Sequence, residues 1–170
     1  MAQQDCCSGS TEQGPWGYQL IIDCFGCDEG VCCDLDRGYE FLDKITVHLH
    51  MTKQTQPYIF KTCETTFPGK PGYSGWVPII ESGIQIHTSA NNRFISIDVY
   101  SCRPFEESDV VEFVKKWFEP RHLETSFFYR GLGIKEKLFR DGSGAGQTGE
   151  ELAGVGEGAR VSQGKKEQSG

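Results

Sequence analysis

The sequence predicts an α+β fold: a two-layer α/β sandwich, with a mainly antiparallel sheet carrying helices on one face. Three observations lead there. Strand-type hydrophobic patterns outnumber helical ones, each helical pattern follows strands singly, and turn-forming residues separate neighbouring strand patterns. A sheet covered by helices on one side is the packing such an order favours. It leaves the second sheet face bare, so two units can pair sheet to sheet.

Each element has a local reason. Residues 1–15 are polar and rich in Gly, Ser and Gln, which predicts a flexible N-terminus. Residues 18–24 are mainly apolar around Leu20-Ile21-Ile22 and are read as a strand covered on both faces. Asp34 can cap a helix in which Leu35, Tyr39, Leu42, Ile45 and Leu49 recur at steps of three and four, forming one apolar stripe. Residues 58–67, rich in β-branched and aromatic side chains, read as a second strand. Pro68-Gly69-Lys70-Pro71-Gly72 is a turn that no regular element crosses.

Residues 76–80 and 84–88 predict two further strands, broken at Glu81-Ser82-Gly83. Asn91-Asn92 is a hairpin signal, and residues 94–100 alternate Phe94, Ser96, Asp98 and Tyr100 against Ile95, Ile97 and Val99. Ser108 is placed to cap a helix with Val111, Val114, Trp117 and Phe118 inside, stopped by Pro120. Residues 123–129 close the series as a strand. Residues 141–170 hold only Leu152, Val155 and Val161 as sizeable apolar side chains, too few to offset the entropy of ordering them. They are expected to form a disordered Gly-rich tail, leaving one folded domain over residues 16–140.

Composition narrows the function. A hydrophobic content of 37% with 12% aromatic residues supplies a real core. No apolar run reaches the roughly 18 residues of a membrane span, and the N-terminus has no basic patch followed by an apolar stretch. A soluble, cytoplasmic protein with no membrane partner is expected. The net charge of −7 argues against nucleic acid, which requires a clustered basic surface.

Eight cysteines without an export signal disfavour a disulfide framework. Cys24, Cys27, Cys32 and Cys33 invite a zinc proposal. Structural zinc sites usually pair two well-separated knuckles, however, and Cys24 ends an apolar strand pattern. Buried or half-buried thiols, with no metal, are the expectation.

The chemistry concentrates in residues 74–102. Ser82 and Gly83 interrupt a sheet pattern, where a strained turn exposes a hydroxyl. His87 follows five residues on and Cys102 fifteen after that. A serine near a base points to nucleophilic chemistry, while a turn Ser, a strand His and a strand Cys with no joint role stays open on these residues alone.

This stretch resembles the processing site of the small, prokaryotic S-adenosylmethionine decarboxylase proenzymes. The resemblance rests on Ser74-Gly75, the apolar run ending in Glu81-Ser82, Ile86-His87-Thr88, and Asp98-Val99-Tyr100-Ser101-Cys102, in order and at unbroken spacing. Ile21-Ile22-Asp23-Cys24-Phe25-Gly26-Cys27-Asp28 is similar to that family's first strand and its exit. Together these cover most of residues 17–120.

The resemblance implies a pyruvoyl-dependent decarboxylase, with no pyridoxal phosphate. Decarboxylation of an α-amino acid leaves a carbanion that needs an electron sink. A pyruvoyl ketone provides one by forming a Schiff base with the substrate amine. By the same resemblance, the Ser82 hydroxyl attacks the Glu81 carbonyl, the chain breaks between the two residues, and Ser82 becomes the pyruvoyl group. Ser74 and His87 are implied as helpers in processing, with the imidazole moving a proton. Cys102 is implied as the acid that returns a proton to the substrate carbon. Phe67 and Asn91 are implied in substrate binding, Phe67 as a stacking surface for adenine. The expected assembly is a homo-oligomer of cleaved α and β chains acting on a small molecule. The two fragments are expected at about 9 and 10 kDa, taking roughly 110 Da per residue.

Three departures from the family pattern bear on substrate. Gly83 stands where His is usual; Ser89-Ala90-Asn91 replaces Trp-Pro-Glu, so an amide takes the place of the ribose-binding carboxylate; and the turn before Ser74 is one residue longer. A relative with the same chemistry acting on arginine or ornithine is therefore the alternative. A non-catalytic regulatory paralogue is a second, although it would be expected to lose the Ser, His or Cys, and all three are present.

Overall fold

The computed structural model describes residues 14–62 and 67–133, together with the backbone of Arg160–Ser162. Strands β1 (Gly17–Phe25), β2 (Tyr58–Lys61), β3 (Tyr73–Ile79), β4 (Ser82–Ser89), β5 (Phe94–Ser101), β6 (His122–Arg130) and β7 (Arg160–Ser162) form one sheet. Its order is β2-β3-β4-β5-β1-β6-β7, and every pairing is antiparallel. Helices α1 (Glu29–Cys33), α2 (Leu35–His48) and α3 (Glu107–Phe118) complete the described elements.

The alternation of side chains along each strand places the core on the helix side. Leu20 and Ile22 of β1, Val77 and Ile79 of β3, Ile84 and Ile86 of β4, and Ile95, Ile97 and Val99 of β5 are buried there. They pack beneath Phe41, Leu42 and Ile45 of α2 and Val110, Val114 and Phe118 of α3. Gly38 lets α2 lie close to the sheet, since a Cβ there would stand 2.5 Å from the Tyr73 ring. Thr88 fastens α1 to the sheet by accepting from the Tyr73 N–H at 2.8 Å and donating to the Cys32 carbonyl at 2.7 Å.

Several expectations need correction. Asp34 caps α2 as expected, accepting from Arg37 N–H at 3.0 Å. The inner stripe is rotated, however: Gly38 and Phe41 are buried, whereas Tyr39 is half-buried and donates to Gln56. Helix α3 begins at Glu107 rather than after a Ser108 cap, its first turn tied to β6 by the Thr125 hydroxyl, which donates to the Glu107 carboxylate. Val110 joins its inner face, while Val111 and Trp117 are half-buried. Helix α1 was not anticipated; Asp28 caps it by accepting from Val31 N–H.

Strand β2 ends at Lys61, short of residue 67. The anticipated flexible N-terminus lies outside the described residues over 1–13. The anticipated tail lies outside them as well, except that Arg160–Ser162 pair with β6, where no strand was expected. Among the described residues no helix is long and apolar enough to cross a membrane.

Candidate active site

The strand break expected at Glu81-Ser82-Gly83 is instead a two-residue turn. Ile79 pairs with Ser82, so Ile80 and Glu81 alone connect β3 to β4, and Ser82 and Gly83 belong to β4. The interruption survives in the backbone. Ser82 has a φ of 147°, a conformation that L-residues seldom adopt. Such a residue stores strain of about 1–3 kcal/mol.

Glu81 is held from several sides. Its carbonyl accepts the backbone N–H of Cys102 at 2.9 Å. One carboxylate oxygen accepts Thr52 N–H at 3.2 Å, and the other lies 3.6 Å from the Arg103 guanidinium. The pairing of Ser82 with Ser101 brings the end of β5 alongside, so Glu81, Ser82 and Cys102 meet at one corner of the sheet.

Beside that corner, on the face without helices, lies a cleft of about 440 Å³ lined by Gln19, Trp76, Ser82, Gly83, Gln85, Asp98 and Tyr100. Gln85 donates to the Asp98 carboxylate at 2.6 Å. Partial burial, then Glu124 and Asp98, push the nearby Asp23 carboxyl above its ordinary range. Trp76 explains the glycine at position 83: a Cβ there would meet the indole nitrogen at 2.5 Å. The indole occupies the space into which a side chain at 83 would project.

Ser74 and His87 face each other across β3 and β4, with Ser74 Oγ 2.8 Å from His87 Nδ1. This pair lines a second cleft of about 470 Å³, with Tyr58, Phe60 and Trp76. It stands five residues along the hairpin from Ser82, about 16 Å at the rise of a strand. One chain therefore joins Ser74 to His87, and Ser82 to Cys102, but does not bring the two pairs together. Asn91 donates to the Gly69 carbonyl at 2.6 Å in the turn at the opposite end of β4, and Phe67 is exposed near that turn.

Sequence reasoning missed Thr52, Trp76, Asp98, Tyr100 and Arg103. Strand register brings Trp76, Asp98 and Tyr100 to the cleft, while Thr52 and Arg103 reach the corner from the segments that follow α2 and β5. Asp98 and Tyr100 stand in the motif that ends at Cys102 and alternate outward along β5, but neither signal gave them a role.

Cys24, Cys27 and Cys32 are buried thiols and Cys33 is half-buried. Donation to the Cys27 sulfur, and then burial, raise the Cys24 pKa; burial pushes Cys32 up to about 11. Among the described residues no group of three or more His, Cys, Asp or Glu converges as a metal site.

Comparisons with known proteins converge. A family model described as S-adenosylmethionine decarboxylase matches residues 18–131. The S-adenosylmethionine decarboxylase proenzyme of Clostridium botulinum (strain Loch Maree / Type A3) is 33% identical over 116 residues, covering 68% of this chain and 94% of that protein. The proenzyme of the same name from Thermococcus gammatolerans is 29% identical over 125 residues, covering 72% of this chain and 82% of its own. In fold, the chain is similar to the crystal structure of the adenosylmethionine decarboxylase from Aquifex aeolicus. That likeness has a TM-score of 0.58 at 20% identity, over 70% of this chain and 93% of the other.

Proposed function

The chain belongs to the S-adenosylmethionine decarboxylase family of pyruvoyl-dependent carboxy-lyases, and we propose that it is a proenzyme that cuts itself between Glu81 and Ser82. Processing converts Ser82 to a pyruvoyl group. The mature enzyme then decarboxylates S-adenosylmethionine, supplying the aminopropyl donor for spermidine synthesis. The observation that carries this reading is the Cys102 N–H donated to the Glu81 carbonyl, next to a serine with a φ of 147°.

The donor polarises the carbonyl that the Ser82 hydroxyl would attack. It also remains in place as negative charge develops on that oxygen, the arrangement that lowers the barrier to acyl transfer. Attack forms an ester between the Ser82 oxygen and the Glu81 acyl carbon and breaks the peptide C–N bond. Loss of the Ser82 α-proton then breaks the Cβ–O bond and releases Glu81 as a carboxylate. Water replaces the nitrogen of the resulting dehydroalanine, ammonia leaves, and a ketone remains at position 82. The strain at Ser82 favours the first step because the backbone there leaves an unfavourable conformation. The group so formed supplies an electron sink conjugated to the substrate nitrogen.

The remaining roles are assigned by position. Cys102 is the acid that protonates the substrate carbon, standing beside residue 82 through its contact with Glu81. Ser74 and His87 form a hydrogen-bonded pair suited to proton transfer in processing. Their separation from Ser82 within one chain favours a homo-oligomer in which bare sheet faces meet and the partner's Ser74 and His87 serve this chain's Ser82. The same pairing would bring Phe67 and Asn91 of one chain toward the other's cleft for substrate binding.

Intact-mass measurement tests the cleavage. Fragments of about 9 and 10 kDa at roughly 110 Da per residue are expected, the larger one blocked at its N-terminus. A purified chain that stays full-length would remove the catalyst. Carbon dioxide release from S-adenosylmethionine, arginine and ornithine in parallel then identifies the substrate.

A further inference from the structure

We propose that Arg103 is a positioning residue for self-cleavage, its guanidinium holding Glu81 so that the Glu81 carbonyl stays on the Cys102 N–H. The inference rests on the reading that the bond after Glu81 is the one that breaks.

The Glu81 side chain is only 12% exposed although it sits in a turn. A carboxylate removed from water requires partners, and two are present: Thr52 N–H at 3.2 Å and Arg103 Nη1 at 3.6 Å. Arg103 has its own anchor. Its Nη2 donates to the carbonyls of Leu49 at 2.9 Å and His50 at 2.5 Å, at the C-terminal end of α2. Unpaired carbonyls and the helix dipole attract a cation there. The backbone is pinned as well, because the Ser101 hydroxyl accepts from Arg103 N–H at 2.9 Å and donates to the Arg103 carbonyl at 2.8 Å.

Helix α2 and Ser101 therefore fix Arg103 independently of Glu81. The fixed cation positions the glutamate, not the reverse. Thr52 adds a second hold, since its carbonyl accepts Ile80 N–H at 2.8 Å and keeps the turn against residues 49–54. Segment 101–103 thus grips one residue by both ends, with the carbonyl on Cys102 N–H and the carboxylate by Arg103. Acyl transfer within a chain is sensitive to such placement, because a shift of about 1 Å can cost on the order of a hundredfold in rate.

The test follows cleavage of the full chain during cell-free synthesis by intact mass over time. The chains compared are wild type, Arg103→Met, Arg103→Lys, Glu81→Gln and the double variant Arg103→Met/Glu81→Gln. Arg103→Met is expected to slow cleavage about tenfold, a barrier change of about 1.4 kcal/mol. Arg103→Lys should recover part of the rate, and the double variant should be no slower than Arg103→Met, as for two residues acting through one contact. In a Ser82→Ala background the Arg103→Met chain should melt somewhat below its parent, having lost the Leu49 and His50 contacts, whereas Glu81→Gln should melt with its parent and still slow cleavage. Wild-type speed in Arg103→Met, or a double variant in which the two losses multiply, overturns the proposal. So does a slowing confined to the chains that lose thermal stability. A wild-type chain that never cuts overturns the cleavage reading itself and takes this inference with it.

Discussion

The backbone N–H of Cys102 donates to the Glu81 carbonyl at 2.9 Å, so the residue proposed as the acid of decarboxylation also touches the bond proposed to break. The two roles use different atoms. In the proposed scheme the main chain would serve cleavage and the thiol turnover, which makes them separable by mutation.

Cys102→Ala keeps the N–H and is expected to self-cleave. Its decarboxylation rate per pyruvoyl group should fall by about 10²–10⁴, the usual worth of a positioned acid. Intact mass together with carbon dioxide release reads both. Full activity in Cys102→Ala would assign proton return to another group.

The φ of 147° at Ser82 predicts an order of stability among uncut variants. Ser82→Ala and Ser82→Gly both lack the hydroxyl and should remain single chains. Glycine accepts this backbone without a Cβ penalty, so Ser82→Gly should be more stable than Ser82→Ala by about 1 kcal/mol. Equal melting of the two would mean that residue 82 carries no strain.

Residues whose neighbours lie close in sequence were legible before the structure. Asp34 as the α2 cap and the alternation of β5 depend on contacts within a few positions. The run through Glu81-Ser82 read as a break because Ser-Gly is turn chemistry, whereas the tight turn lies one residue earlier and cross-strand pairing carries Ser82 into β4. Helix α1 is five residues long, too short for an apolar period to show. Arg103 was invisible as a site residue because its partners Leu49, His50 and Glu81 stand far away in sequence, and Trp76 because its meeting with Gly83, seven positions on, depends on the hairpin register rather than on local sequence.

Trp76 and Gly83 are expected to be energetically coupled. In Gly83→Ala the new methyl would meet the indole nitrogen, and Trp76, 47% exposed, must swing away from the sheet and from its stack on Tyr58. The cost should be about 1 kcal/mol, in the range of overpacking. In a Trp76→Ala background the same change should cost much less. A double-mutant cycle by thermal melting checks this, and equal costs in the two backgrounds would place the indole elsewhere.

The segment that holds Glu81 should respond to acid through Asp43. Lys53 hydrogen-bonds the Asp43 carboxylate and bridges in backbone register to Ile79, thereby tying residues 49–54 to the end of β3. That hydrogen bond is the leading cause holding the Asp43 carboxyl below its ordinary range; burial opposes it, and the charges of Lys53 and Lys44 add to it. A carboxyl lowered on folding stabilises the chain above its unfolded pKa, about 3.9, and loses that contribution as pH falls through the folded value. Both side chains are about a quarter exposed, at 25% and 23%, so solvent screening limits the pair. A stability loss of about 0.5–1 kcal/mol is expected for Lys53→Met at pH 7. The difference from wild type should shrink below about pH 4 and be nearly gone once the folded carboxyl is protonated. Denaturant melts of the two uncut Ser82→Ala chains across that range decide it. A gap that persists unchanged at low pH would assign the effect of Lys53 to packing of its aliphatic stem instead of its charge.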